Sequence, residues 1–203
     1  VLCVWSWGID APLKAVADPN WTENPAKAPW YFVGLQELLV YFDPWIAGVI
    51  VPGLIIFGLA ALPYLDPDET EGGAYRIRSR RLVSFMFLFG YIMWFLLIGV
   101  GQFLRGPSWQ FYWPWEDWGV EKAAEAALVN LPEWLGIIVI AAYFVFGLLL
   151  PAIISRRHYR LMGPARYILA WTLALVMFGV VGKIILRLVF NVKYVLSTNL
   201  FSI

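Results

Sequence analysis

The amino-acid sequence predicts an all-α integral membrane protein with four transmembrane helices, the end of a preceding helix and short amphipathic surface helices. Of its 203 residues, 61% are hydrophobic and only 14% are charged, whereas a soluble domain carries about 25% charged residues. Four apolar segments are each long enough to cross a hydrocarbon core about 30 Å thick. These segments are 44–64, 82–104, 134–155 and 167–190. We therefore expect a single membrane domain over residues 1–203.

The apolar segments differ in how completely they exclude charge. The first three contain no charged residue, which argues against a transporter, because transporters commonly carry ionisable residues inside their spans. The fourth is apolar until Lys183 and Arg187, whose side chains are expected to reach toward the membrane interface. The stretch 1–9 is too short to span a membrane. It has neither a basic region nor a small-residue cleavage site, so it is interpreted as the end of a helix and not as a signal peptide.

The basic residues predict how the spans are oriented. The loops 66–81 and 156–166 each hold four arginines, together eight of the 15 lysine and arginine residues. The positive-inside rule places both loops in the cytoplasm, with a bacterial inner membrane as the expected location. Residues 24–43 and the Trp-rich loop 105–118 then lie together on the opposite, electropositive side. The tryptophans of that loop have two interpretations, an interfacial belt or part of a binding site.

Residue content excludes several kinds of function. A net charge of +1 does not favour binding to nucleic acid. The chain has one cysteine, Cys3, and one histidine, His158. We interpret Cys3 as a small apolar residue and His158 as a solvated loop residue. Because a metal or haem site needs more ligands than these two distant residues, any redox metal is expected on a partner chain.

Residues 24–43 combine prolines and aromatic residues with a helical pattern. Four apolar residues at helical spacing predict one face of a short amphipathic surface helix: Leu35, Leu38, Leu39 and Phe42. Asp43 and Pro44 predict the start of the next helix, as its cap and its first-turn proline. A second short surface helix is expected before Pro132. The aromatic segment before the first of these helices suits a flat, apolar ligand with polar ends.

The segment ADPNWTENPAKAPWYF, residues 17–32, resembles a segment of the C-terminal region of cytochrome b and of subunit IV of the cytochrome b6f complex. In those proteins a similar turn leads to a Pro-Glu-Trp-Tyr motif. The sequence LPYLD, the arginine-rich RIRSRR and the order of the spans are also similar, over residues 1–104. The combination of KAPWYF with RGPSWQFYWPWE, residues 105–116, is most similar to the menaquinol:cytochrome c reductase variants.

This resemblance implies a division of roles within a multi-subunit, dimeric complex. The b haems would lie on a di-haem N-terminal cytochrome b subunit and the iron–sulfur cluster on a Rieske protein, with a c-type cytochrome as a further partner. This chain would ligate no haem and would contribute to the quinol-oxidation site on the electropositive side, with menaquinol as the expected quinol. Residues 1–9 would be the end of the family's helix E, and the next three spans its helices F, G and H. The fourth span goes beyond that pattern.

The sequence departs from the family motif at a functional carboxylate. Aligned on Trp30 and Tyr31, the Glu of the motif falls at Pro29. The resemblance implies that this Glu takes a proton from quinol, which proline cannot do. Glu37 is the next carboxylate along the chain and is the candidate proton acceptor. Pro29, Trp30, Tyr31 and Phe32 are the candidate wall of the quinol site, with Tyr31 as its polar contact.

Two rival interpretations stay open from the sequence alone. In the first, the chain is a structural membrane anchor of a respiratory or photosynthetic complex, whose quinol site was lost together with the motif's Glu. Glu37 would then be a surface or structural carboxylate, and Tyr31 an interfacial anchor. In the second, which the charge-free spans disfavour, the chain is a subunit of a transporter.

Overall fold

The computed structural model describes residues 2–8, 16–20, 22–65, 81–120, 122, 128–197 and 202–203. Seven α-helices occur within these ranges. They are α1 (Leu2–Gly8), α2 (Trp30–Tyr41), α3 (Val51–Leu65), α4 (Arg81–Phe103), α5 (Glu133–Ile154), α6 (Arg156–Met162) and α7 (Pro164–Phe190). A π-helical turn, Ile46–Ile50, leads directly into α3, and a 3₁₀ turn, Pro107–Trp109, follows α4.

In the part of the chain that the structure describes, four helical segments are long and apolar enough to cross a membrane, which confirms the predicted spans. They are Ile46–Leu65, Val83–Phe103, Glu133–Ile154 and Pro164–Phe190. Many of their large apolar side chains are exposed on the isolated chain. Such surfaces are expected to face lipid or neighbouring helices, because lipid tails are as apolar as these side chains. The chain is therefore an integral membrane protein built from α-helices.

The first span begins where the sequence predicts it. The backbone N–H of Trp45 donates to Asp43 Oδ1 at 3.0 Å, so Asp43 caps the helix and Pro44 follows in its first turn. The π-helical turn ends just before Pro52. Because the ring of a proline clashes with the carbonyl four residues earlier, we attribute the wider turn to relief of that clash.

Helix α2 packs across the end of α4 and does not lie free on a surface. Glycines permit the close approach, since a Cβ on Gly101 would lie 2.4 Å from Val33 Cγ1 and one on Gly34 would lie 3.1 Å from Ile98 Cγ1. A buried apolar cluster continues from α2 into the first span and touches α4 and α7. Its buried members are Leu38, Tyr41, Phe42, Ile46 and Ala47. This cluster lies at the end of the spans that carries α2.

The predicted apolar face of α2 does not coincide with its buried face. The buried residues are Val33, Gly34, Glu37, Leu38 and Tyr41, whereas Leu39 is 45% exposed. The prediction is confirmed for Leu38 and Phe42, which are buried. It is wrong for Leu39, because apolar spacing assigns a carboxylate to the outside of a helix. Glu37 lies inside because a cation from a distant part of the chain compensates its charge.

Lys183 also departs from the prediction. Its side chain does not reach toward an interface but is buried, with its ammonium group bonded to the backbone carbonyl of Tyr41. The sequence pattern around Lys183 gives no sign of that partner, which is 142 residues away.

Some predicted features lie outside the described residues. These are the surface helix before Pro132, most of the loop 66–81, and the side chain of His158. The second basic segment, 156–166, is largely helical and not a loop, because α6 occupies Arg156–Met162. The cytoplasmic location of both basic segments stays a prediction.

The two Trp-rich segments do lie at the same end of the spans, as predicted. The backbone N–H of Ser108 donates to Asn24 Oδ1 at 2.6 Å, and Lys27 Nζ donates to the carbonyl of Gln102 at 2.7 Å. Both contacts join the segment before α2 to the end of α4, which brings the candidate site residues together.

Gly101→Ala tests the close approach of α2 and α4. The added Cβ would overlap Val33, so we expect a loss of about 1–3 kcal/mol in stability and a lower thermal midpoint. Gly99→Ala is the matched control, because nothing lies within 4 Å of a Cβ at that position and alanine favours a helix over glycine. The measurement is thermal unfolding in detergent followed by circular dichroism. Equal midpoints for the two variants would contradict the packing described.

Candidate functional site

The segment that we call the elbow, residues 24–32, ends in an aromatic ledge formed by Trp30, Tyr31 and Phe32. Pro29 is the N-cap residue of α2, so the ledge is the first turn of that helix. The rings of Trp30 and Tyr31 meet edge to face with centroids 5.7 Å apart, and those of Tyr31 and Phe32 lie 4.9 Å apart. All three residues are more than half exposed on the isolated chain. The predicted wall residues therefore form one accessible aromatic surface.

Hydrogen bonds fix the extended part of the elbow to two helices. Gln36 of α2 accepts from the N–H of Ala28 at 2.8 Å and donates to the carbonyl of Ala26 at 2.9 Å. Lys27 donates to the carbonyl of Gln102, in the last turn of α4. Cations are favoured there because the last carbonyls of a helix lack intrahelical partners. Burial lowers the pKa of Lys27.

Glu37 lies fully buried between α2 and the segment after α4. Arg105 binds it with two hydrogen bonds, from Nε to Oε2 at 2.8 Å and from Nη2 to Oε1 at 2.6 Å. The hydroxyl of Tyr41 donates to Oε1 at 2.9 Å, and Nε1 of Trp109 donates to Oε2 at 3.2 Å. Four hydrogen bonds thus fill a carboxylate that has about four acceptor positions.

Burial makes the Glu37–Arg105 pair costly to break. The side chain of Glu37 is 0% exposed and that of Arg105 is 4% exposed. Burial, with the charge of Glu37, raises the pKa of Tyr41 to about 12, so its hydroxyl stays a donor at neutral pH. Burial alone would lower the pKa of Arg105, but the hydrogen bonds and charge of Glu37 outweigh it and raise that pKa. Removing one partner of such a pair costs about 3–5 kcal/mol, because the other charge is left uncompensated.

A tight turn after α4 directs Arg105 and Trp109 toward Glu37. Ser108 and Trp109 both have positive φ, 55° and 56°. Residues other than glycine adopt this conformation at a cost and keep it only where their surroundings hold them. Arg105 provides one such contact, because its Nη1 donates to the carbonyl of Trp109 at 3.0 Å. The turn is therefore a structural part of the site.

A cleft of about 420 Å³ opens beside the elbow. Its lining includes Asn24, Pro25, Gln36, Leu39 and Trp109. Trp109 thus contributes both to the cleft wall and to the hydrogen bonds around Glu37. The volume and the mixture of apolar and amide groups are within the range of small-molecule sites.

The Trp-rich segment beyond this turn is tied together by Lys122. Its ammonium group pairs with Glu116, whose Oε2 also accepts from the N–H of Trp113 at 2.8 Å. These bonds lower the pKa of Glu116. The rings of Trp113 and Trp115 stack with centroids 5.0 Å apart and remain exposed. Exposed indoles are typical of a membrane interface, so both interpretations of this segment stay open.

Comparison with known families matches residues 16–109 to the family described as Cytochrome b(C-terminal)/b6/petD. The matched range contains the elbow, α2, α3, α4 and both partners of the buried pair. Residues 16–109, slightly less than half of the chain, are similar to a cytochrome b C-terminal domain. No curated protein and no solved structure matches the chain.

The match confirms the resemblance that the motifs indicate and changes its limits. The matched range extends to Trp109, so it includes the whole turn after α4. Helices α1, α5, α6 and α7 lie outside it. Members of this family belong to quinol-oxidising cytochrome b complexes. The match supports a cytochrome b-type subunit of a quinol oxidoreductase.

Within the matched range, Glu37 is bonded to three residues that the sequence analysis did not identify as its partners: Tyr41, Arg105 and Trp109. Arg105 follows Glu37 by 68 positions, and its one signal is that it is the first charged residue after a charge-free span. Tyr41 could have been found from its spacing, because residues four apart are neighbours on a helix. The ledge residues are exposed, whereas Glu37 is enclosed.

The Glu37–Arg105 pair predicts a strongly non-additive double-mutant cycle. Glu37→Met or Arg105→Met alone leaves one buried charge and should cost about 3–5 kcal/mol, whereas the double variant should recover most of that loss. Thermal unfolding of the purified complex measures all three variants. Lys122→Met removes the cation of an exposed pair and should change the midpoint little. Losses that simply add in the double variant would contradict this account of the pair.

Proposed function

We propose that this chain is the C-terminal cytochrome b subunit of a quinol:cytochrome c oxidoreductase and forms part of its quinol-oxidation site on the electropositive side of the membrane. The observation that carries the proposal is the exposed aromatic ledge, which forms the first turn of a helix that a buried ion pair holds within the family-matched residues. A flat quinol ring stacks well on aromatic side chains whose orientation is already fixed.

The metal cofactors are proposed to lie on partner chains. A haem held between two histidines cannot be built from this chain, because His158 is its one histidine. Among the described residues, no group of three or more His, Cys, Asp and Glu side chains could hold a metal ion. The proposed partners are a di-haem N-terminal cytochrome b subunit, a Rieske iron–sulfur protein and a c-type cytochrome. They would form a dimeric complex in a bacterial inner membrane.

The proposed reaction is the oxidation of one quinol with two electron acceptors. Quinol loses two electrons and two protons and becomes quinone. On the proposed partner chains, an iron–sulfur cluster would accept one electron and a b haem the other. Both protons would be released on the electropositive side of the membrane. The part of this chain is to bind and orient the ring, with Pro29, Trp30 and Phe32 as wall and the Tyr31 hydroxyl as a polar contact. Menaquinol is the proposed quinol, supported by the resemblance of KAPWYF to menaquinol-using variants.

Glu37 has two proposed roles, of which the geometry favours the second. As a proton acceptor it would replace the Glu that is missing at Pro29. However, its acceptor positions are filled by Arg105, Tyr41 and Trp109, so a quinol hydroxyl would have to displace one of these donors. In the positioning role, the Glu37–Arg105 pair keeps α2, and with it the ledge, against the end of α4.

The pH profile of quinol oxidation separates these two roles. A positioning role predicts that Glu37→Gln and Arg105→Gln both lower kcat/KM for quinol, by about ten- to a hundredfold, without changing the shape of the profile. The measurement is quinol-driven cytochrome c reduction by the purified complex between about pH 5 and pH 9. Loss of a pH-dependent limb in Glu37→Gln alone would assign proton acceptance to Glu37. A parent rate and profile in Glu37→Gln would exclude both roles.

Trp30→Ala tests the ledge itself. Loss of one aromatic contact should raise KM for quinol about three- to tenfold, while the haem b content of the complex stays unchanged. Trp134→Ala is the matched control, because it removes an exposed indole that belongs to neither the elbow nor the Trp-rich loop. Both variants are measured in a complex that co-purifies with the di-haem b subunit and the Rieske protein. An unchanged KM in Trp30→Ala, or failure of the parent chain to co-purify with these partners, would contradict the proposal.

A structural membrane anchor is the second candidate function, and Pro29 at the carboxylate position of the motif favours it. In that case quinol would be oxidised at a site on other subunits, and neither Trp30→Ala nor Glu37→Gln would change KM. A transporter subunit is less favoured, because the first three predicted spans contain no charged residue.

A further inference from the structure

Lys183 is a buried cation near the end of the fourth span, α7. It is 4% exposed, and its ammonium group donates to the carbonyl of Tyr41 at 3.0 Å and to the carbonyl of Lys193 at 2.7 Å. The same nitrogen lies 5.5 Å from the centroid of the Phe42 ring, within reach of a cation–π interaction. A lysine inside a span is costly unless its donors find partners, and these contacts supply them.

The carbonyl of Tyr41 is the last one in α2. The last carbonyls of a helix lack intrahelical partners and carry the negative end of the helix dipole. An ammonium group at this position therefore caps α2. Tyr41 is held twice, because Lys183 binds its carbonyl while its hydroxyl donates to Glu37. Tyr41 therefore connects Lys183 to the buried Glu37–Arg105 pair.

The segment after α7 fixes the second carbonyl that Lys183 binds. Asn191 ends α7 with a left-handed φ of 53°, and the chain turns so that the N–H of Lys193 donates to the carbonyl of Val129 at 2.9 Å. Farther along, Val195 packs closely on α5, since a Cβ on Gly136 would lie 1.9 Å from its carbonyl oxygen. The Lys193 carbonyl is therefore held by contacts of its own segment.

We propose that Lys183 is a positioning residue for the aromatic ledge. It caps α2 from α7 and, through Tyr41, holds the Glu37–Arg105 pair in register, so that the first turn of α2 keeps its orientation. This inference rests on the proposed function for its effect on quinol. It also assigns a role to α7, which lies outside the family-matched residues.

Lys183→Met tests the proposal, because it removes the donors with little change in side-chain volume. Lys193→Met is the matched control, since it removes an exposed side chain but keeps the carbonyl that Lys183 binds. In the purified complex we expect amide hydrogen exchange over residues 38–42 to rise about tenfold in Lys183→Met only. KM for quinol should rise about threefold or more, with kcat within about twofold of the parent. Lys183→Arg keeps a cation with N–H donors. It should therefore bring both the amide exchange and the KM partly back toward the values of the parent complex.

Two results would overturn the proposal: unchanged exchange over residues 38–42, or increased exchange with an unchanged KM. A parent complex that does not oxidise quinol would overturn the proposed function and the ledge role with it. Exchange would still report whether Lys183 caps α2, so the two failures can be told apart. If Lys183→Met does not assemble, Lys183→Gln is compared with Lys193→Gln in the same measurements and judged by the same outcomes.

Discussion

A buried carboxylate needs a nearby cation, and Arg105 meets this need for Glu37 with two hydrogen bonds. Burying either charge without the other would be costly. The pair joins the turn after α4 to the middle of α2, and so decides where α2 lies. Because the aromatic ledge is the first turn of that helix, the position of the ledge depends on a contact that is not on the ledge itself.

The other polar contacts of α2 act together with this pair. Gln36 and Lys27 fix the elbow at the beginning of the helix, Lys183 binds its last carbonyl, and Gly101 lets it approach α4. A wall for a reacting ring must keep its geometry while substrate arrives and product leaves. A short helix held at both ends and in the middle satisfies that demand. In the proposed function, the carboxylate of Glu37 would position the helix, and the protons of quinol would be accepted by other groups.

The sequence predicted those features that depend on local pattern. The spans were predicted from the length of the apolar segments, and the cap at Asp43 from its place before a proline. The shared side of the two Trp-rich segments was predicted by counting how often the chain crosses the membrane between them. Partners far apart in the chain could not be predicted, because no local pattern marks Arg105 as the cation for Glu37. The same limit explains two errors. Apolar spacing assigned Leu39 to the buried face of α2 and Glu37 to its exposed face. For Lys183 the apolar pattern predicted a side chain at the membrane interface, whereas the side chain is buried.

The central claim is that the ledge held by the Glu37–Arg105 pair is one wall of the quinol-oxidation site. The most direct measurement is an experimental structure of the intact complex with an inhibitor bound at its quinol-oxidation site. The account predicts inhibitor atoms within contact distance, about 4 Å, of Trp30 or Tyr31, with Arg105 still bound to both carboxylate oxygens of Glu37. An inhibitor bound away from the elbow, or one that contacts Glu37 directly after Arg105 has turned aside, would contradict it.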